Sequence, residues 1–172
     1  MADAEEKLVD HLKQIWANDI ALYTKVEGYS LMSEGPTMLA NHHNYKRVAK
    51  KIMCNHHKIG HAIRYLNEVP PASIDRVTEL NEIPDAETVP DAHDMNVQLY
   101  NDFQVQIERI QKAIKRAHDV EQYGISGILG KFMKMLQHYS WHALAATEQA
   151  QISSDENVNA LGKPAIQKPE KI

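Results

Sequence analysis

One stretch constrains the fold more than any other. Between Pro36 and Pro70, apolar side chains return every three or four residues: Tyr45, Val48 with Ala49, Ile52, Ile59, Ile63 and Leu66. That spacing is one face of a helix at 3.6 residues per turn. Pro36 is tolerated in a first turn. Pro70-Pro71 ends the run, because the residue before a proline is pushed out of the α region. The spacing predicts one long helix over 36–68.

The same run has an unusual polar inventory. It holds five of the chain's ten histidines: His42, His43, His56, His57 and His61. It also carries Lys46, Arg47, Lys50, Lys51, Lys58 and Arg64, with no Asp or Glu between Pro36 and Asn67. His56 falls on the apolar stripe, where a core histidine is expected. His57 and His61 are four apart and lie off the stripe, as do His43 and Lys50. His57 is followed by Lys58, so the glutamate of a zinc-protease HExxH is missing.

The remaining sequence reads as scaffold. A chain of 172 residues with 43 % hydrophobic content suits one domain with a real core. No apolar run approaches 18 residues, so no membrane span is expected. The start, MADAEEKLVD, is acidic and lacks an apolar signal core; a cytoplasmic location is expected. The single cysteine, Cys54, excludes a disulfide framework within the chain and reads as structural. Net charge is −4, but unevenly spread: the basic 36–67 run is followed by an acidic 68–94 stretch. Nothing in that balance demands nucleic acid, so any DNA contact must be local or multiplied by oligomerisation.

Along the chain, residues 3–33 read as a helix with Leu8, Leu12, Ile15, Leu22, Val26 and Tyr29 on its stripe. Its first turns are polar, so residues 1–14 are expected to project as a helical extension. Residues 70–92 hold four prolines and many acids, a connection with a short helix over Ser73–Asn81. A third helix is expected over 93–122, on Leu99, Phe103, Ile107, Ile110, Ile114 and Ala117. Gly124 and Gly127 break the pattern before a fourth, on Leu129, Phe132, Leu136, Tyr139, Ala143 and Ala146. Trp141 and the Met133/Met135 region are read as core. Residues 153–172 show no useful period and read as a mobile tail. Short links join helices one to two and three to four, and a long one joins two to three. The expected fold is therefore an all-α, ferritin-like four-helix bundle over 15–152 with one long crossover.

Residues 18–42, NDIALYTKVEGYSLMSEGPTMLANH, resemble the first-to-second helix junction of the Dps family, the DNA-protection-during-starvation miniferritins. Leu22, Tyr23, Lys25, Tyr29, Gly35, Pro36 and His42 fall in step with that family's junction. QHYSWHAL at 137–144 resembles a fourth-helix motif, with Trp141 on the family's tryptophan. The resemblance implies a twelve-subunit shell, iron oxidation between two-fold-related subunits, a mineral core and, in many members, DNA binding through lysine-bearing tails.

The inherited iron site departs from the family pattern. The resemblance places the first ligand histidine on Ser30 and its tryptophan neighbour on Leu31. The second histidine is kept as His42. The Asp and Glu, four apart, fall on His57 and His61. Iron(III) favours hard oxygen ligands, whereas imidazole suits zinc, copper, nickel or iron(II). Ferroxidation of the family type is thus expected to be impaired or absent here.

His42 and His57 are fifteen residues apart on one helix, about 22 Å at 1.5 Å per residue. They cannot share an ion within one chain. Two readings of His42, His57 and His61 stand: a metal site completed in a dimer, or a remnant interface held by histidine hydrogen bonds.

For DNA, the candidates are Lys163, Lys168 and Lys171 in the tail and Lys7 and Lys13 on the first helix. The expected function is a Dps-like shell that binds DNA non-specifically and protects it under stress, in the nucleoid, with a degraded iron site. The alternatives are an active iron-oxidising, iron-storing miniferritin using other ligands, and a protein that sequesters zinc or a similar ion at the histidines.

Overall fold

The computed structural model describes residues 2–152, and side chains from residue 4 to residue 147. The tail lysines Lys163, Lys168 and Lys171 lie outside the described residues. Five helices follow in order: α1 (Ala2–Met32), α2 (Met38–Tyr65), α3 (Ile74–Leu80), α4 (Ala92–Asp119) and α5 (Tyr123–Ile152). None of the described helices is long and apolar enough to cross a membrane.

The order of contacts gives the topology. Along α1, Lys13 meets Glu68, Trp16 meets His56 and Ser30 meets His42, so α1 and α2 run antiparallel. His11 meets Arg109, Lys25 meets Asp102 and Tyr29 meets Gln98, so α1 and α4 are antiparallel too. Hence α2 and α4 run the same way, and the 66–91 connection must return along the whole bundle. This is the single long crossover of a ferritin-like arrangement. Ser73 caps α3 by accepting from the Arg76 amide at 3.2 Å, and Asp91 caps α4 by accepting from the Asp94 amide at 2.8 Å.

The stripes read from the sequence meet in one core. Leu12, Ile15, Leu22 and Val26 of α1 are fully buried, as are Ile52, Ile59 and Ile63 of α2, Ile110 of α4 and Leu129, Phe132 and Leu136 of α5. Leu8, Val9 and Leu12 are also in this core, so α1 packs from residue 8, within the stretch expected to project.

Three expectations are corrected. Trp141 is not core: it is 62 % exposed. It lies two residues, or about 200° of helix rotation, from the buried Tyr139, and position outweighs residue type. Met133 and Met135 are half-buried against the core. At the end of α5, Thr147 takes the inward place expected for Ala146. Finally, Gly124 and Gly127 lie inside α5, which begins at Tyr123.

The helix ends are closed by non-glycine residues. Asn67 (φ 60) and Glu121 (φ 58) take the left-handed conformation just past α2 and α4. The following amides, of Glu68 and Gln122, donate to the carbonyls of Ile63 (3.3 Å) and Ala117 (2.7 Å). These are Schellman ends, for which glycine is the usual residue.

A polar seam crosses the core. Gln106 Nε2 donates to Asp19 Oδ1 (2.7 Å) and to the Ile15 carbonyl (3.0 Å), while Gln106 Oε1 accepts from Asn18 (2.9 Å). Asn18 Oδ1 accepts from the Glu82 amide (2.8 Å), tying the crossover to α1. Asp19 Oδ2 is buried with no partner. Burial pushes the Asp19 carboxyl well above the ordinary carboxylate range, and the Gln106 hydrogen bond offsets only part of that.

Candidate metal centre

The α1–α2 corner positions His42. Gly35 has φ +79, a conformation that L side chains rarely adopt, and its carbonyl accepts from the Met38 amide at 3.1 Å. The chain therefore folds back sharply, and His42 reaches α1. His42 Nδ1 lies 2.8 Å from the Ser30 carbonyl and 3.3 Å from the Ser30 hydroxyl. A carbonyl only accepts, so Nδ1 carries a proton, and in the neutral ring Nε2 is the nitrogen with the lone pair. A backbone carbonyl that fixes the tautomer in this way is the usual outer support of a ligating histidine.

The second histidine group lies toward the other end of α2. His57 and His61 are exposed, with Nε2 atoms 3.2 Å apart and rings edge to face at 89°. His56, on the core side, stacks on Trp16 with ring centroids 4.3 Å apart. Its Nδ1 is buried without a partner, so it is not the satisfied core histidine expected. Burial pulls the His56 imidazole below the usual histidine range; the Trp16 backbone acts the other way. His56 thus lines the edge of the second group without reaching it.

The structure keeps His42 apart from His57 and His61, as their spacing on one helix requires. Among the described residues, no three His, Cys, Asp or Glu side chains converge on a common point. Each group is bordered by exposed apolar side chains. Leu31, Met32, Met38 and Leu39 lie around the His42 corner. Tyr65 and Val69, both exposed, follow His61 in the chain, and the His61 ring stacks toward Tyr65.

Charge on α2 is one-sided. Lys46, Arg47, Lys50, Lys51, Lys58 and Arg64 are all exposed, and the helix holds no carboxylate. Of the expected DNA contacts on α1, Lys7 is exposed, and Lys13 donates to Glu68 at 2.8 Å.

Sequence reasoning passed over one pair. His138 and His142 of α5 have the same spacing as His57 and His61, and their Nε2 atoms are also 3.2 Å apart. The i,i+4 histidines are visible in the sequence itself, in QHYSWHAL at 137–144.

Residues 9–151 match the family model for the ferritin-like domain, most of the chain. The chain belongs to the ferritin-like domain family. No curated protein sequence matches it. Among solved structures, this ferritin-like chain is similar to antigen TpF1 from Treponema pallidum. That likeness has 18 % identity and a TM-score of 0.83, over 86 % of this chain and 95 % of that one. It is similar to Dps from Staphylococcus aureus, with 17 % identity and a TM-score of 0.80, over 83 % and 95 %. It is also similar to the DPS protein from Vibrio cholerae O1, described as one of the ferritin-like diiron-carboxylate proteins. There the identity is 16 % and the TM-score 0.79, over 83 % and 90 %. The fold is thus that of the Dps proteins.

Proposed function

We propose that this chain assembles with copies of itself into a Dps-type shell of twelve, and that the shell associates with DNA in the nucleoid and shields it under stress. Its iron pocket between subunits has lost the carboxylates that family chemistry uses. The carrying observation is that the donor groups of α2 form two separated halves, each with exposed apolar side chains close to it in the chain. Exposed apolar patches of this kind mark interaction surfaces. A second copy laid antiparallel across α2 would cover both and bring one chain's His42 to the other's His57 and His61.

The donor set of such a pocket is three imidazoles, because Ser30 is buried on the Nδ1 side of His42, away from the ligating Nε2. It does not fit iron(III), which wants anionic oxygen. The cationic side chains along α2, which holds no carboxylate, leave any added positive charge uncompensated. The pocket therefore fits iron poorly as a substrate for oxidation. The DNA part is supported by Lys163, Lys168 and Lys171 in the tail and by Lys7 and Lys13 on α1, of which Lys13 also pairs with Glu68. Contacts of this kind act on phosphates, without sequence preference, and gain from many copies.

Sedimentation velocity, iron(II) oxidation under air or peroxide, and gel shift test the reading together. The expected results are a particle near twelve chains, oxidation no faster than buffer, and a shift that high salt or deletion of 157–172 removes. Rapid saturable oxidation abolished by His57→Ala would overturn the iron part. A shift untouched by deleting either terminus would overturn the DNA part.

The 3.2 Å approach of His57 and His61 favours a second reading, in which the pocket takes zinc or a similar borderline ion. Equilibrium dialysis of wild type against His57→Ala tests it, and equal uptake by both rules it out.

A further inference from the structure

The His138–His142 pair lies on a different helix and takes no part in the pocket above. Tyr139 and Ala143 are buried in the core, which fixes this face of α5 and leaves His138 exposed and His142 half-buried. The rings sit edge to face at 81°, with centroids 4.5 Å apart. The Nε2 atoms are 3.2 Å apart. An ion 2.0–2.1 Å from each nitrogen would subtend about 100° at that separation, between octahedral and tetrahedral angles.

We propose that His138 and His142 form a second metal site, one that takes a borderline divalent ion such as copper(II), nickel(II) or zinc(II). Imidazole is the ligand type these ions prefer. Ligation also requires a neutral ring. Two protein nitrogens leave the other positions to water.

Arg47 and Lys51 are the opposing features. Lys51 Nζ lies 5.4 Å from the Tyr139 ring centre. Their charge weakens cation binding without blocking the nitrogens, which already face each other. The site is separate from His57 and His61. His142 is level with Arg47, ten residues and about 15 Å along α2 from His57. One ion cannot serve both pairs.

Trp141 supplies a built-in reporter. It is exposed, and its ring lies 4.9 Å from His142 and 6.4 Å from His138. A paramagnetic ion held by the pair would quench its emission.

The test uses full-length protein without added histidines, titrated with nickel(II) and copper(II). Bound metal and tryptophan emission are read together. His57→Gln/His61→Gln protein should still bind an ion and quench the exposed tryptophan. Adding His138→Gln and His142→Gln should remove that ion and its quenching. Loss of outer-shell support alone weakens metal sites about 10–100-fold, so loss of a ligand should weaken binding at least as much. The exposed single change His138→Gln, with unchanged circular dichroism, should show the same direction. Equal uptake and quenching with and without His138 and His142 would overturn the site.

Discussion

His42 Nδ1 donates to the carbonyl oxygen of Ser30 at 2.8 Å, across the corner between α1 and α2. The contact leaves Nε2 free and fixes its direction. In the proposed pocket this is the half already held in a ligating form. The resemblance places the family's Asp and Glu on His57 and His61, toward the far end of α2.

Restoring those carboxylates should restore chemistry. His57→Asp with His61→Glu changes two exposed side chains and leaves Ser30 and His42 in place. Two anions would replace two neutral ligands and suit iron's preference for hard oxygen. Initial rates of iron(II) oxidation should rise by roughly tenfold or more, about 1.4 kcal/mol or more of barrier. A rate equal to that of wild type would mean that the pocket is not where the resemblance places it.

Lys25 and Asp102 form a buried ion pair between α1 and α4, 2.7 Å apart and each about 5 % exposed or less. Burial pushes the Asp102 carboxyl above its ordinary range, and the Lys25 hydrogen bond and charge offset part of the shift. Asp102→Ala would leave the Lys25 charge buried and unpaired. Denaturant unfolding at fixed protein concentration should show a loss of about 3–5 kcal/mol. Lys25→Met combined with Asp102→Leu should recover most of it, because neither charge then remains buried.

Asp19 makes a pH prediction. Its folded pKa is raised well above 3.8 by burial. The folded state therefore keeps a proton that the unfolded state releases above 3.8. Stability from this group is full below that pH and falls as pH rises toward the folded value, by up to about 1.4 kcal/mol per pH unit. Asp19→Asn should be more stable than wild type at neutral pH, with the difference growing upward from about pH 4. Parallel unfolding curves for the two proteins across that range would contradict the assignment.

Glu121 holds a left-handed conformation at the end of α4, at φ 58, and is exposed. Glycine adopts that conformation without the Cβ penalty. Glu121→Gly should raise the thermal midpoint, with a gain of about 0.5–1 kcal/mol. A lower midpoint would show that the Glu121 side chain stabilises the turn by an interaction worth more than the strain.

The sequence by itself determined the long helices, the single crossover and the separation of His42 from His57 and His61. Each follows from a local rule. Apolar spacing along a rigid helix sets which residues share a face, and 1.5 Å per residue sets how far apart two of them lie. Trp141 was within reach of the same rule, since two residues from Tyr139 is the opposite face.

Tertiary structure decided which distant groups meet. Only the packing of α1 on α2 placed Trp16 over His56 and left a buried nitrogen without a partner. Only the packing of α2 beside α5 set Arg47 near His142, and only the return of α2 along α1 tied Lys13 to Glu68. Such pairings join residues far apart in sequence, so no periodicity encodes them. They depend on how helices seat against one another, and with them go the protonation, exposure and free lone pairs on which the chemistry rests.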